Sequence, residues 1–149
     1  MFRRELIAAL VLATALACPA LAGGTPAPQE FSSDVASRLL EQVTRGFITN
    51  NQKQVLSSFD VARMKNYAKF RAGVVALFAQ YDSFRAGFHL QQSWPQGGRG
   101  VVIAEFELEG SPLEEGTKPL HRSAQLRFEF EYGREGWRIV DVAPRKFFS

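Results

Sequence analysis

The sequence predicts a single α+β domain in which three N-terminal helices pack on one face of a four-stranded antiparallel sheet. Apolar residues recur at helical spacing between Ser32 and Gln80. After Asp82 the period changes to two and stays there. Gln125 to Val142 then reads as a hairpin. Leu126, Phe128, Phe130 and Tyr132 alternate with Gln125, Arg127, Glu129 and Glu131, Gly133-Arg134-Glu135-Gly136 turns the chain, and a second strand opens on Trp137. A run of helices followed by a run of strands segregates the helices to one side of the sheet.

Ahead of these elements the chain carries an export pattern. Arg3 and Arg4 supply a positive start, Leu6 to Ala17 is apolar apart from Thr14, and Ala20 and Ala22 form a small-residue cleavage pattern. The expectation is a signal peptide over 1–22, cut between Ala22 and Gly23, and a protein that is periplasmic or secreted. The apolar run is too short for a permanent membrane-spanning helix, so none is expected in the mature chain. Ala15-Leu16-Ala17-Cys18 imperfectly resembles the lipid-attachment motif of bacterial lipoproteins, which makes an anchor at Cys18 the competing destination. Cleavage after Ala22 instead leaves no cysteine, and so no disulfide framework, thiol nucleophile or thiolate metal site.

The 149 residues suffice for one domain with a real core. Of the 18 basic and 15 acidic residues, Arg3, Arg4 and Glu5 leave with the signal peptide, so the formal charge falls from +3 to about +2. The charges are interspersed, and no basic run is longer than Arg145-Lys146. Nucleic acid is therefore not an expected partner, because reading a phosphate backbone requires clustered Lys and Arg.

Residues 23–31, rich in Gly, Pro and Thr, read as a flexible leader, and 32–149 as the domain. Ser32 or Ser33 caps the first helix, with Asp34 at its positive end and Val35, Leu39, Leu40, Val43 and Phe47 on its buried face. Asn50-Asn51 ends it, and Val55 to Phe59 forms a shorter helix. Asp60 is expected to cap a third helix over Val61 to Gln80. Its main stripe is Met64, Ala68, Val75 and Phe78, broadened by Phe70, Val74, Leu77 and Tyr81. Gly73 weakens its helix propensity.

In the first strand Phe84, Ala86, Phe88 and Leu90 alternate with Arg85, Gly87, His89 and Gln91. Pro95-Gln96-Gly97-Gly98 turns the chain into a strand with Val102, Ala104, Phe106 and Leu108 on one face. A polar loop from Gly110 to Leu120 leads to the Gln125–Val142 hairpin, whose last strand is expected to run to about Phe147.

The element order, together with Phe47-Ile48-Thr49-Asn50-Asn51, Val55-Leu56-Ser57-Ser58-Phe59-Asp60 and Gly136-Trp137-Arg138-Ile139-Val140-Asp141-Val142, resembles the NTF2-like superfamily, which includes SnoaL-like and ketosteroid-isomerase-like proteins. The resemblance covers about Asp34 to Val142. It implies a strongly bent sheet wrapped around the helices as a cone, with a pocket at the open end, and it makes a homodimer through the outer sheet face plausible. The superfamily contains isomerases, dehydratases, non-catalytic binders and assembly modules, so the fold does not settle the function.

An isomerase of this shape needs a carboxylate base in an apolar pocket and a donor for the developing oxyanion. The acids available are Asp60, Asp82, Glu105 and Asp141, and the phenols are Tyr67, Tyr81 and Tyr132. Asp60 reads more simply as a helix cap and Asp82 as a turn residue. Asp141, which shares strand parity with Trp137 and Ile139, is the leading catalytic candidate, followed by His89 and Tyr81. The plainer reading of Asp141 is an ion pair with an Arg across the sheet, and that of His89 a sheet-surface side chain.

His121 and His89 lie too far apart for a metal signature, and no G-x-S-x-G elbow is present. Glu105, Glu107, Glu109, Glu129 and Glu131 read as an exposed sheet face paired with Arg85, Arg127 and Arg138 rather than as a cation site. Twelve of the 13 phenylalanines fall at or after Phe31, mostly as core. An apolar ligand site, if these residues line one, would draw on Phe78, Tyr81, Phe106, Phe128, Phe130 and Trp137.

These readings lead to an exported, non-catalytic domain that binds an apolar small ligand or an envelope protein, with no cofactor or metal. The competing expectation is an isomerase or dehydratase using a pocket carboxylate. A third, a structural module of an envelope assembly, leans on an exposed Phe147-Phe148 terminus.

Overall fold

The computed structural model describes residues 29–149. The expected signal peptide, Cys18 and residues 23–28 of the expected leader lie outside the described residues. Helices α1 (Ser33–Ile48), α2 (Gln52–Ser57) and α3 (Tyr67–Gln80) precede strands β1 (Tyr81–Gln96), β2 (Arg99–Pro112), β3 (Leu120–Gly133) and β4 (Gly136–Ala143). The strands form one antiparallel sheet in sequence order. Among the described residues no helix is long and apolar enough to cross a membrane.

Helix α1 follows its sequence pattern. Ser32 Oγ accepts from the Val35 N–H at 3.3 Å, Asp34 sits in the first turn, and Val35, Leu39, Leu40, Val43 and Phe47 are all buried. The chain then reverses at Asn50, which adopts a left-handed conformation (φ 52°), one that asparagine tolerates better than most residues. Asn51 Oδ1 accepts from the Gln54 N–H at 3.1 Å and so starts α2 earlier than the apolar residues alone indicate. The two helices meet at Gly46, where an added Cβ would stand 2.6 Å from Val55 Cγ2 and 2.7 Å from the Val55 backbone nitrogen.

Helix α3 departs from expectation. It begins at Tyr67, not Val61, because Asn66 sits in the left-handed region (φ 54°) and interrupts the helical path. Asp60 still caps, accepting from the Ala62 and Arg63 N–H groups at 3.0 Å, but what it caps is an isolated turn. The buried stripe of α3 is Phe70, Val74 and Leu77, while Ala68 is exposed and Val75 and Phe78 are half-buried. Met64 is buried, but from the preceding turn.

In the sheet, Gly97 and Gly98 both take positive φ (56° and 78°), the requirement of a two-residue hairpin that matches strand twist. Val102, Ala104, Phe106 and Leu108 of β2 and Leu126, Phe128 and Phe130 of β3 are buried as their alternation requires. Tyr132 breaks that pattern at 38% exposure. Register shifts at Asp82/Arg85, Leu90/Gln92 and Glu129/Phe130 are points where strands bend and twist, giving a curved sheet. At the free edge of β4 the Asp60 N–H donates to Ile139 O (2.8 Å) and the Ile139 N–H to Ser58 O (2.9 Å), which ties the helical layer to the sheet.

The last strand stops at Ala143 rather than continuing to Phe147. Pro144 cannot donate to the ladder, and Arg145–Phe148 forms a 3₁₀ turn instead. That turn corrects the reading of Phe147-Phe148 as an exposed terminus: they are 4% and 1% exposed. Phe148 lies 5.5 Å from Phe106, 6.0 Å from Phe47 and 6.2 Å from Phe70, centroid to centroid, and so joins β2, α1 and α3.

Gly46→Ala provides a test of the α1–α2 crossing. Helix propensity alone would stabilise the variant by up to about 1 kcal/mol. The close Val55 backbone reverses the sign, and we expect a net loss of roughly 1–3 kcal/mol in urea denaturation.

Candidate functional site

The six side chains considered for a ligand pocket are not gathered around one open cleft. Phe106, Phe128 and Phe130 are each 0% exposed and belong to the continuous core. Phe106 is covered by Phe147 and Phe148, at 5.6 Å and 5.5 Å, and Phe130 by Phe31 at 5.3 Å. Phe78 stacks on Phe47 (5.3 Å) and contacts Phe84 (5.0 Å), where α3 passes into β1. Tyr81, the first residue of β1, is half-buried there. Trp137 lies in β4, edge-on to Phe31 (5.2 Å), and its indole N–H donates to Gln29 O at 2.6 Å. Gln29 and Phe31, from the stretch read as leader, therefore both contact the domain.

The carboxylate and imidazole candidates lie around the periphery. Asp60 is engaged in its capping turn and lies 3.9 Å from Arg63. Asp82 is half-buried at the first irregularity of β1, opposite Ser111. Asp141 does not share a face with Trp137 and Ile139. Glu129 pairs with Asp141 while Phe130 pairs with Ile139, which leaves Val140 as an extra residue and turns Asp141 toward the outer face. Its Oδ1 accepts from Arg145 Nη2 (2.8 Å) and Nε (3.1 Å) and from the Val142 N–H (2.9 Å). The arginine partner is thus four residues along the chain rather than across the sheet.

His89 is exposed in β1, opposite Glu105, which is itself exposed. His121 Nδ1 lies 3.2 Å from Glu109, which also pairs with Arg85 at 2.6 Å. Tyr67 is half-buried and Tyr132 exposed. Among the described residues no group of three or more His, Cys, Asp or Glu is placed to hold a metal ion.

The acidic rows of the outer sheet face are met by arginines in part. Glu109, Glu129 and Glu131 are paired, while Glu105 and Glu107 are exposed and make no ion pair among the described residues. Arg127 reaches Glu129 (3.1 Å), and Arg99 bridges Glu131 (2.6 Å) and Glu129 (3.5 Å). Arg63 adds a contact to Glu131 from the helical side at 3.5 Å. Arg138, expected in these rows, instead lies 3.7 Å from Glu135 in the hairpin turn. Beside the charges, Trp94 and Val101 are cross-strand partners, and Ile103 lies two positions further on the same outer face.

Of the surface clefts among the described residues, one of about 310 Å³ includes Trp137 and one of about 170 Å³ includes Asp141 with Lys65, Glu129 and Glu131, and two others are larger. The first of these, of about 410 Å³, lies between the Asp60–Arg63 turn and the β3–β4 hairpin, with Phe59 and Arg134 among its walls. The other, of about 540 Å³, is lined by Asn66, Lys69, Phe70, Arg145, Lys146 and Ser149. The second draws on chain segments some 80 positions apart, as the bond from Arg145 to Lys65 O shows. Its only linear trace was the short Arg145-Lys146 run.

No protein-family model and no curated protein matches this chain. Its fold is nevertheless shared with solved structures. An NTF2-like superfamily protein from Salmonella enterica superposes with a TM-score of 0.60 at 10% identity, covering 73% of this chain and 86% of that one. A conserved protein from Planctomyces limnophilus gives 0.60 at 12% identity, covering 73% and 91%. A type 2 hexachlorocyclohexane dehydrochlorinase gives 0.54 at 14% identity, covering 73% and 84%. At these identities the likeness concerns the fold alone.

The packing of the cone interior can be tested by truncating its central ring. Phe148→Ala should cost about 3–5 kcal/mol in chemical denaturation. If the lining does not collapse, the variant should also gain a dry apolar void that takes up benzene, seen as NMR shifts at neighbouring methyl groups that the parent chain does not show.

Proposed function

From the NTF2-like fold of this chain, we propose that the protein is an exported, non-catalytic domain that acts by binding a protein partner in the cell envelope through its surface. The observation that carries this reading is the filling of the cone by Phe147 and Phe148 against Phe106, Phe47 and Phe70. A carboxylate base works where substrate can meet it in a sequestered, low-dielectric site. Here that interior is occupied by aromatic rings, and Asp141 is held outside it by Arg145. The dehydrochlorinase of similar fold is an enzyme, but a shared fold does not transfer an activity.

The surface assigned to the partner is the outer sheet face. Its half-buried Trp94 and Ile103, either side of the buried Val101, give this face a small apolar centre beside the paired Arg and Glu rows, a core-and-rim composition suited to protein contact. A second copy of the chain is one partner the face can accept, which makes a homodimer part of this proposal. Export rests on the Arg3–Ala22 pattern, with release after Ala22 preferred to an anchor at Cys18.

Native mass spectrometry of protein taken from its own envelope tests the reading directly. The expected spectrum shows a chain beginning at Gly23 in complex with a protein, either a second copy or another species. Ile103→Arg should dissociate that complex while leaving the circular dichroism spectrum and melting midpoint of the chain nearly unchanged. A retained apolar small molecule and no protein would overturn the proposal. So would turnover of a ketosteroid that is lost in Asp141→Asn.

A further inference from the structure

The cleft beneath the C-terminal turn differs chemically from the Arg–Glu rows of the outer sheet face. Its lining includes no acidic side chain, and it collects Lys69 from α3 with Arg145 and Lys146 from the 3₁₀ turn. Arg145 Nη1 also donates to the backbone carbonyl of Lys65, a residue that lines a neighbouring cleft with Glu129, Glu131 and Asp141. Arg145 is also tied to Asp141, so its fork is a fixed post between the Lys65 segment and β4. Lys65, Lys69 and Lys146, by contrast, are exposed and make no ion pair with a carboxylate among the described residues. Elsewhere on the sheet, arginines are matched with glutamates. Two ammonium groups without a carboxylate partner, those of Lys69 and Lys146, line one concavity, and an anion placed between them offsets their mutual repulsion.

The other wall of the cleft is apolar. Phe70 contributes the edge of a ring otherwise packed on Phe59 and Phe148. At about 540 Å³ the cleft falls within the size range of small-ligand sites, with the Phe70 ring on one side and a cationic rim.

We propose that this cleft binds a phosphate-bearing ligand, its phosphate held by Lys69 and Lys146 and its less polar part lying against Phe70. Phosphate is favoured over a simple carboxylate because its oxygens can accept charge-assisted hydrogen bonds from more than one ammonium at a time. The site adjoins the outer sheet face at Arg145, which Asp141 holds, and does not require the cone interior to open.

Isothermal titration at low ionic strength, with inorganic phosphate in one arm and monomeric dihexanoyl-phosphatidylglycerol in the other, tests the assignment. Saturable binding is expected in at least one arm, weakened about tenfold or more by Lys69→Ala/Lys146→Ala and reduced by added salt. Binding in both arms identifies the phosphate as sufficient. Binding of the lipid alone identifies a headgroup ligand that also uses Phe70. Lys53→Ala/Arg134→Ala removes the same charge away from the cleft and should leave the affinity within about twofold. Absence of binding in both arms would overturn the proposal, as would equal weakening by the two double variants. Circular dichroism on each variant separates loss of binding from loss of fold.

Discussion

The packing of Phe148 is the constraint from which the remaining architecture follows. One ring, 1% exposed, meets Phe47 of α1, Phe70 of α3 and Phe106 of β2, so the helical layer and the sheet share a common centre. Burying a phenylalanine contributes roughly 1.5–3 kcal/mol, and removing one from a rigid site costs more because a void remains. A residue next to the last position of the described chain can hold that place only if its backbone is fixed. Arg122 Nη1 fixes it by donating to Phe147 O (2.7 Å) and Lys146 O (3.2 Å), while Arg145 is clamped by Asp141. Gly73 completes the fit, since a Cβ there would stand 2.6 Å from Ser149 Cβ. The glycine that weakens α3 as a helix thus makes room for the terminal segment.

The sheet has to satisfy opposite demands on its two faces. Its concave face buries Phe106, Phe128 and Phe130, and its outer face carries Glu129, Glu131, Arg99 and Arg127 in mutual contact. These outer pairs are partly exposed, and such pairs each contribute only about 0–1 kcal/mol. Their effect is more on register than on stability, because like charges opposed across a sheet are unfavourable. The same restraint applies to Asp141 and Arg145, whose side chains are both partly solvent-facing. Their value lies in where they hold Arg145 and the turn that follows.

Much of the fold was legible because α1, β2 and β3 obey simple periods. Ser32, Val35 and Phe47, or Val102, Ala104 and Phe106, announce their faces without tertiary information. The departures arise where one residue breaks a period without altering composition. Asn66 takes a left-handed conformation inside an otherwise helical pattern, and Val140 adds one residue to β4 and turns Asp141 outward. Neither event leaves a strong local signal, since asparagine is common in helices' flanks and valine is a good strand former. The burial of Phe147 and Phe148 departs from the sequence expectation for a related reason. Hydrophobicity indicates that a ring prefers burial, but not that Pro144 would end the strand and a 3₁₀ turn carry both rings inward. The basic cleft was illegible because Lys69 and Lys146 become neighbours only when α3 and the C-terminal turn meet.

These departures have a joint consequence for how a cone of this kind is used. The turn after Pro144 sends Phe147 and Phe148 into the interior and leaves Lys146 on the surface, with Arg145 half-buried between them. Closing the interior and building the basic rim are therefore one structural event, produced by one short segment. A chain that lacked the turn would have an open cone, and the α3 flank would keep only the helix's own Lys69 and Arg71 without the Arg145-Lys146 rim. With the turn in place, apolar burial stabilises the centre, and the polar chemistry is displaced to the mouth and the outer sheet. The Gln125–Val142 hairpin supports both results: Phe128 and Phe130 face the filled core, while Glu129 and Asp141 face the charges outside. On the proposed function, recognition falls to the periphery because the geometry leaves the centre to packing.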